Sequence, residues 1–167
     1  SSTLSTADGK AGDVLTLDGP YTGIAGKLIL DTALGDDASA TDKLVVKGDI
    51  TGNTEIDVRN TTGTGALTQV GIKVVQADAA STAGNFTLKN GVVSAQAPGK
   101  QRFDYRLYQG SNGGIPAWLD AATLNIDAND WYLRSTCADG SSTTDGSTPI
   151  TSSDALGCLS PDKIVVQ

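Results

Sequence analysis

The sequence predicts an all-β domain, and three observations carry that reading. The acidic residues are 18 Asp against a single Glu, Glu55. A short Asp carboxylate competes for nearby backbone amides and suits turns, whereas Glu is the ordinary acid of helix interiors. Gly and Thr number 20 each and Met is absent, a composition of short strands joined by tight turns. Apolar residues also alternate with polar ones in short runs bounded by Gly, Asn and Asp, the period of a half-buried strand. The chain has 167 residues, of which 38% are hydrophobic. That is too apolar for disorder and long enough for one domain that buries roughly 70% of its unfolded surface.

The predicted strands follow in order. Val14–Leu17 ends at Gly19-Pro20, Lys27–Asp31 follows Gly26, and Lys43–Val46 ends at Gly48-Asp49. Glu55–Arg59 runs into Asn60 and a Thr/Gly stretch, and Ile72–Val75, Phe86–Leu88 and Val92–Ala95 continue the series. Arg102–Tyr108 alternates most cleanly, with Phe103, Tyr105 and Leu107 on one face and Arg102, Asp104 and Arg106 on the other. Trp131–Arg134 is the last strong strand, and a short one is expected at Lys163–Gln167. The inward pairs Leu15/Leu17, Leu28/Leu30, Leu44/Val46, Ile56/Val58 and Ile72/Val74 recur at intervals of 13, 16, 12 and 16 residues. Such spacing fits a β-sandwich or a β-solenoid. The solenoid gains from the four- and five-residue strands, the aliphatic character of residues 13–95, and turns unlike the two-residue hairpin type. Aromatics concentrate from Phe103 onward, as expected of an end structure that closes an otherwise open stack.

Charge and composition exclude several functions. Lys plus Arg is 12 and Asp plus Glu is 19, a net charge of −7, so no nucleic-acid partner is expected. The absence of His removes His-based triads, His-ligated zinc and an imidazole switch. No run approaches the 18 apolar residues of a membrane-spanning helix. The start at Ser1-Ser2-Thr3 is expected of a mature product or an excised fragment.

Candidate chemistry is sparse. Asp36, Asp37 and Asp42 lie within seven residues, but the spacing is neither an EF-hand nor a calcium-binding repeat. They are expected to shape a turn between strands. Asp127-Ala128-Asn129-Asp130 reads the same way. Asp36 and Asp104 could form a glycosidase pair only with stacking aromatics along one face, and the aromatics lie elsewhere. Nothing matches G-x-S-x-G, a P-loop or a dinucleotide fingerprint, so neither enzyme activity nor a cofactor is expected. The sequons at Asn60 and Asn85 are commonplace in a Thr-rich chain. Phe103, Tyr105, Tyr108, Trp118, Trp131 and Tyr132 could be a packed cap or an exposed docking patch, and the alternation favours the packed inner face. Cys137 and Cys158 bracket 20 residues made mostly of Asp, Gly, Ser and Thr. A disulfide in an oxidising compartment is expected, with two buried thiols the alternative.

The ordered segments Leu15–Gly26, Leu28–Leu30, Leu34–Asp37, Thr41–Asp49, Gly65-Ala66, Gly71–Gln76, Phe103–Gly110 and Asp130–Ser135 together resemble the autochaperone region of bacterial type V autotransporters, the pertactin-like end of the secreted passenger. The resemblance covers about residues 13–135. It implies a right-handed parallel β-helix with a hairpin-like C-terminal cap, displayed on or secreted from a Gram-negative surface after passage through the periplasm and outer membrane. It implies a module, not an enzyme, that promotes folding and export of its own N-terminal passenger, ahead of an outer-membrane barrel. Under it, residues 1–12 end a preceding coil or linker, 13–135 form the β-helix and cap, and 136–167 lead as a polar loop towards the barrel. The expected folding nucleus is Phe103, Tyr105, Leu107, Tyr108, Trp131, Tyr132 and Leu133. The alternative is an adhesin whose target is a host surface protein or glycan, bound through outward residues such as Arg59 and Lys73.

Overall fold

The computed structural model describes residues 2–79, 84–116 and 119–138. Ten strands account for its regular structure, with only two three-residue 3-10 turns beside them among the described residues. Through the first seven strands the chain passes back and forth between two sheets. One sheet takes β1 (Thr3–Ser5), β3 (Tyr21–Thr32), β5 (Ile50–Asn60) and β7 (Asn85–Leu88), all parallel. The other takes β2 (Val14–Leu17), β4 (Lys43–Val46) and β6 (Ile72–Ala77), also parallel.

This alternation explains the spacing of the inward pairs. One turn of chain contributes a strand to each sheet, so an interval of 12 to 16 residues is half of it. Leu15 sits beside Leu44 and Leu44 beside Val75, while Leu4, Leu28, Ile56 and Leu88 form a ladder on the opposite sheet. Leu28, Leu30, Leu44, Val46 and Ile56 have no exposed surface. Each buried side chain of this size contributes about 1.5–3 kcal/mol.

The second sheet is mixed, its parallel strands followed by antiparallel ones where a hairpin-like end was expected. Beyond β6 come β10 (Trp131–Cys137), β9 (Arg102–Gln109) and β8 (Val93–Gln96), every pairing antiparallel. The reversal begins at Asn90 and Gly91, whose φ values are +61° and +75°. Asn tolerates this left-handed region better than most residues. The turn returns the chain into the other sheet, where β8 pairs antiparallel with β9.

Two strands depart from simple alternation. In β6 both Val74 and Val75 are fully buried, because Trp131 pairs with Val75 while Tyr132 pairs with Lys73. Val74 is the extra residue of a bulge, which breaks the two-residue period. In β3 the register shifts between Gly23 and Gly26. Ala25 takes φ +49° there, and Ile24 is pushed out to 75% exposure. Directly alongside, Gly52 has φ +78° and packs so closely on Gly23 that a Cβ would collide with the Gly23 carbonyl. Gly52→Ala therefore meets both backbone strain and a steric clash, each of order 1–3 kcal/mol. It is expected to lower stability by about 2–5 kcal/mol, measured as a drop in the urea midpoint; an unchanged midpoint would show that this bend is not tightly packed.

Candidate functional site

The aromatic residues singled out in the sequence come together where β9 and β10 cover the end of the core. Phe103, Tyr105, Trp131, Tyr132 and Leu133 are buried, while Leu107 and Tyr108 are partly so. Strand pairing sets Tyr132 opposite Tyr108 and Leu133 opposite Leu107. Phe86 from β7 meets Trp131 edge-on at 5.5 Å and stacks on Tyr21 at 6.4 Å. An aromatic line thus joins the cap to the parallel stack, with geometries favoured by ring quadrupoles. Trp118 lies outside the described residues. Cys137 ends β10, and its expected partner Cys158 lies outside the described residues, as does the predicted strand at Lys163–Gln167.

The cap does more than cover apolar surface, because its polar atoms hold the loops beneath it. Residues 61–71 link β5 to β6. The Tyr105 hydroxyl donates to the Gly35 carbonyl at 2.7 Å and accepts from the Ala66 amide at 3.1 Å. Ser135 and Thr68 bond reciprocally, each amide to the other's hydroxyl at 2.9 Å. Ser135 also donates to the Ala66 carbonyl at 2.6 Å. The Tyr132 hydroxyl accepts the Asp127 amide at 3.0 Å.

The aspartates predicted as one turn have separate tasks. Asp36 closes its own bend by accepting from the Ala38 amide at 2.9 Å. Asp37 reaches the amides of Gln69, Val70 and Gly71, each at 2.9 Å. Asp42 is fully buried and accepts from the amides of Gly12, Asp13 and Asp31 and from the Thr6 hydroxyl, at 2.7–3.0 Å. Burial opposes its ionisation, but these four bonds outweigh burial and hold its pKa below the ordinary carboxylate value. These carboxylates are occupied by backbone donors, and no group of three with metal-ligating geometry occurs among the described residues. Asp104 is likewise engaged, by the Ser94 hydroxyl at 2.6 Å.

Several functional residues have no sequence signature. Asp31, 2% exposed, accepts from the amides of Asp8 and Gly9. Asp130, 3% exposed, takes the Ala77 amide at 2.8 Å and the Lys73 ammonium at 2.8 Å. Lys73 is consequently not the free surface cation expected from its alternation. It bridges Asp127 and Asp130 in a polar hollow that Gln76, Asp78 and Asn129 also line. Partial burial works against its charge, but the hydrogen bonds to both carboxylates raise its pKa above the ordinary lysine value. Arg134, 1% exposed, lies between the Tyr132 and Tyr108 rings.

Comparison with known proteins places this arrangement. The model of the family described as Autochaperone Domain Type 1 matches residues 2–107, most of the chain. The chain belongs to the type 1 autochaperone family. The autochaperone domain is 41% identical over 123 residues to "Adhesin BmaC autotransporter" of Brucella suis biovar 1 (strain 1330), covering 72% of this chain and 3% of that protein. It is 38% identical over 132 residues to "Uncharacterized protein YdeU" of Escherichia coli (strain K12), covering 79% of this chain and 24% of that protein. It is 36% identical over 126 residues to "Autotransporter adhesin AIDA-I" of Escherichia coli, covering 75% of this chain and 8% of that protein. The domain thus spans a quarter or less of each of these relatives. Its family is not an enzymatic one.

Two expected outcomes follow from the geometry. Tyr105→Phe leaves the Gly35 carbonyl and the Ala66 amide without their hydroxyl partner and should cost about 1–3 kcal/mol, read from denaturant unfolding. A neutral result would mean that water replaces the hydroxyl. Because the folded-state pKa of Asp42 is depressed, its contribution is complete above the unfolded value near 3.8. It is lost as pH falls through the lower folded value. Stability measured from pH 6 down to pH 2 should fall more gently in Asp42→Asn than in the unmodified domain, and parallel curves would assign the acid sensitivity elsewhere.

Proposed function

We propose that this domain is an intramolecular chaperone: the folding nucleus that promotes folding and outer-membrane secretion of an autotransporter passenger. The observation that carries this reading is the construction of the cap, whose aromatic side chains are buried, Tyr108 partly so, while its hydroxyls hold loops of the parallel stack. A docking patch would present those rings to solvent. Family membership and the autotransporter names of the relatives support the same reading.

In this reading residues 13–135 are a right-handed parallel β-helix closed by its antiparallel cap. Residues 1–12 end a preceding coil or linker, and residues 136–167, a polar Cys-bracketed loop and linker, lead towards the barrel. Its partners are its own N-terminal passenger and C-terminal outer-membrane barrel, and its place is the Gram-negative cell surface, reached through the periplasm. Cys137 pairs with Cys158 in that oxidising compartment. A stacked fold is quasi-one-dimensional, so order spreads from whichever end forms first. Phe103, Tyr105, Leu107, Tyr108, Trp131, Tyr132 and Leu133 give that end its stability, and the turn at Asp36, Asp37 and Asp42 sets one edge of a coil. Outside the cell there is no ATP, so the free energy of folding itself biases the passage.

The test places Tyr105→Ala and Trp131→Ala together in an autotransporter carrying this domain. Large-to-small changes at buried aromatics cost about 3–5 kcal/mol each. Protease-resistant passenger at the surface should fall at least tenfold while the barrel still inserts. Normal amounts of folded passenger would remove these residues from the nucleus.

A further inference from the structure

Arg134 is an unusual residue to enclose. Its side chain is almost wholly buried, and no carboxylate lies within ion-pair distance among the described residues. Nε donates to the Val70 carbonyl at 2.7 Å and Nη1 to the Gly113 carbonyl at 2.8 Å. The guanidinium lies 4.9 Å from the Tyr132 ring and 6.0 Å from the Tyr108 ring, while Nη2 is buried with no hydrogen-bond partner. Desolvation, the largest influence on this group, pushes its pKa down. A charge kept under such conditions must hold something that an apolar side chain could not.

What it holds is a segment already gripped from the other side. Asp37, in the loop between β3 and β4, takes the amides of Gln69, Val70 and Gly71. Arg134, in β10, takes the carbonyl of Val70. Gly71, at φ +112°, lies so close to the cap that a Cβ there would stand 2.9 Å from the Arg134 Cγ and from the Leu133 carbonyl oxygen. Asp37 and Arg134 share no hydrogen bond; besides the attraction between their charges, each fixes the position of the atoms that the other binds.

We propose that Asp37 and Arg134 are a coupled pair of positioning residues acting through the backbone of residues 69–71. Their bridge is a second route by which the cap orders the β3–β4 loop, beside the direct bond from Tyr105 to the Gly35 carbonyl. This deepens the folding-nucleus reading and rests on it for its biological role. Three carboxylate bonds hold Val70 so that its carbonyl faces the guanidinium, and the guanidinium keeps the segment where Asp37 can cover its amides. Lysine cannot replace Arg134, because an ammonium does not reach two carbonyls through a rigid fork.

The test is a double-mutant cycle in the 167-residue chain, using Asp37→Asn, Arg134→Lys and their combination in denaturant unfolding. Each single change should lower the folding equilibrium constant by about tenfold or more. The combination should cost about tenfold less than the product of the two, the non-additivity of residues that share a partner. Native-state hydrogen exchange of Arg134→Lys supplies a second readout that does not need the double variant to fold. The amides of residues 69–71 should lose protection, although Arg134 binds a carbonyl and none of those amides. Additive costs, or unchanged exchange at residues 69–71, would overturn the bridge. Surface display of the same variants separates the two readings: coupling with normal display keeps the bridge and removes its role in export. Additivity with lost display does the reverse.

Discussion

Everything in this domain depends on satisfying backbone amides in loops that stacking encloses. A buried amide without a partner costs about as much as the hydrogen bond it lacks. Regular strands solve the problem for themselves, but the connections between them cannot. Here short carboxylates solve it: Asp31, Asp42 and Asp130, all buried, accept from main-chain amides distant in sequence. The ratio of 18 Asp to one Glu acquires a physical meaning. A longer acid has more rotamer freedom to lose at such sites.

The cap answers a second demand of the same kind. A stack of parallel strands has an unsatisfied edge and an open apolar end, and β10, lying antiparallel on β6, covers the edge of the parallel part of the six-stranded sheet. Its side chains then divide the work: Trp131 and Leu133 extend the apolar core, while Ser135 and Arg134 hold the loops. Stability and order at this end are thus properties of one strand pair, β9 and β10, whose residues lie far in sequence from the loops they hold.

Much of this was legible before any coordinates. Nine of the ten strands are visible as alternating or apolar runs, because one buried face imposes a period of two. The inward position of Phe103 and Tyr105 followed from the same period. Three-residue β1 has too little alternation to register, and the start of β3 at Tyr21–Gly26 is hidden by Gly and an exposed Ile24. The bulge at Val74 cannot be read from β6 alone, since it is defined by the partner strand. Lys73 and Arg134 look like ordinary outward charges; residues 127–130 enclose the first across a long stretch of chain, and Tyr108 flanks the second from the neighbouring strand. Local pattern reports which face of a strand is inward, and not what a later strand will lay over the other face.

The two ends of the six-stranded sheet are unlike. At one lies β2, a parallel edge with Val14 60% exposed; at the other lies β8, the outermost of three antiparallel strands. In terms of symmetry, the sheet is polar from edge to edge. A strand laid beside β2 in the same direction would extend the parallel order, whereas at β8 that order has already given way to antiparallel pairing. Head-to-tail repetition needs two complementary faces, and these two edges differ in the pairing that leads up to them.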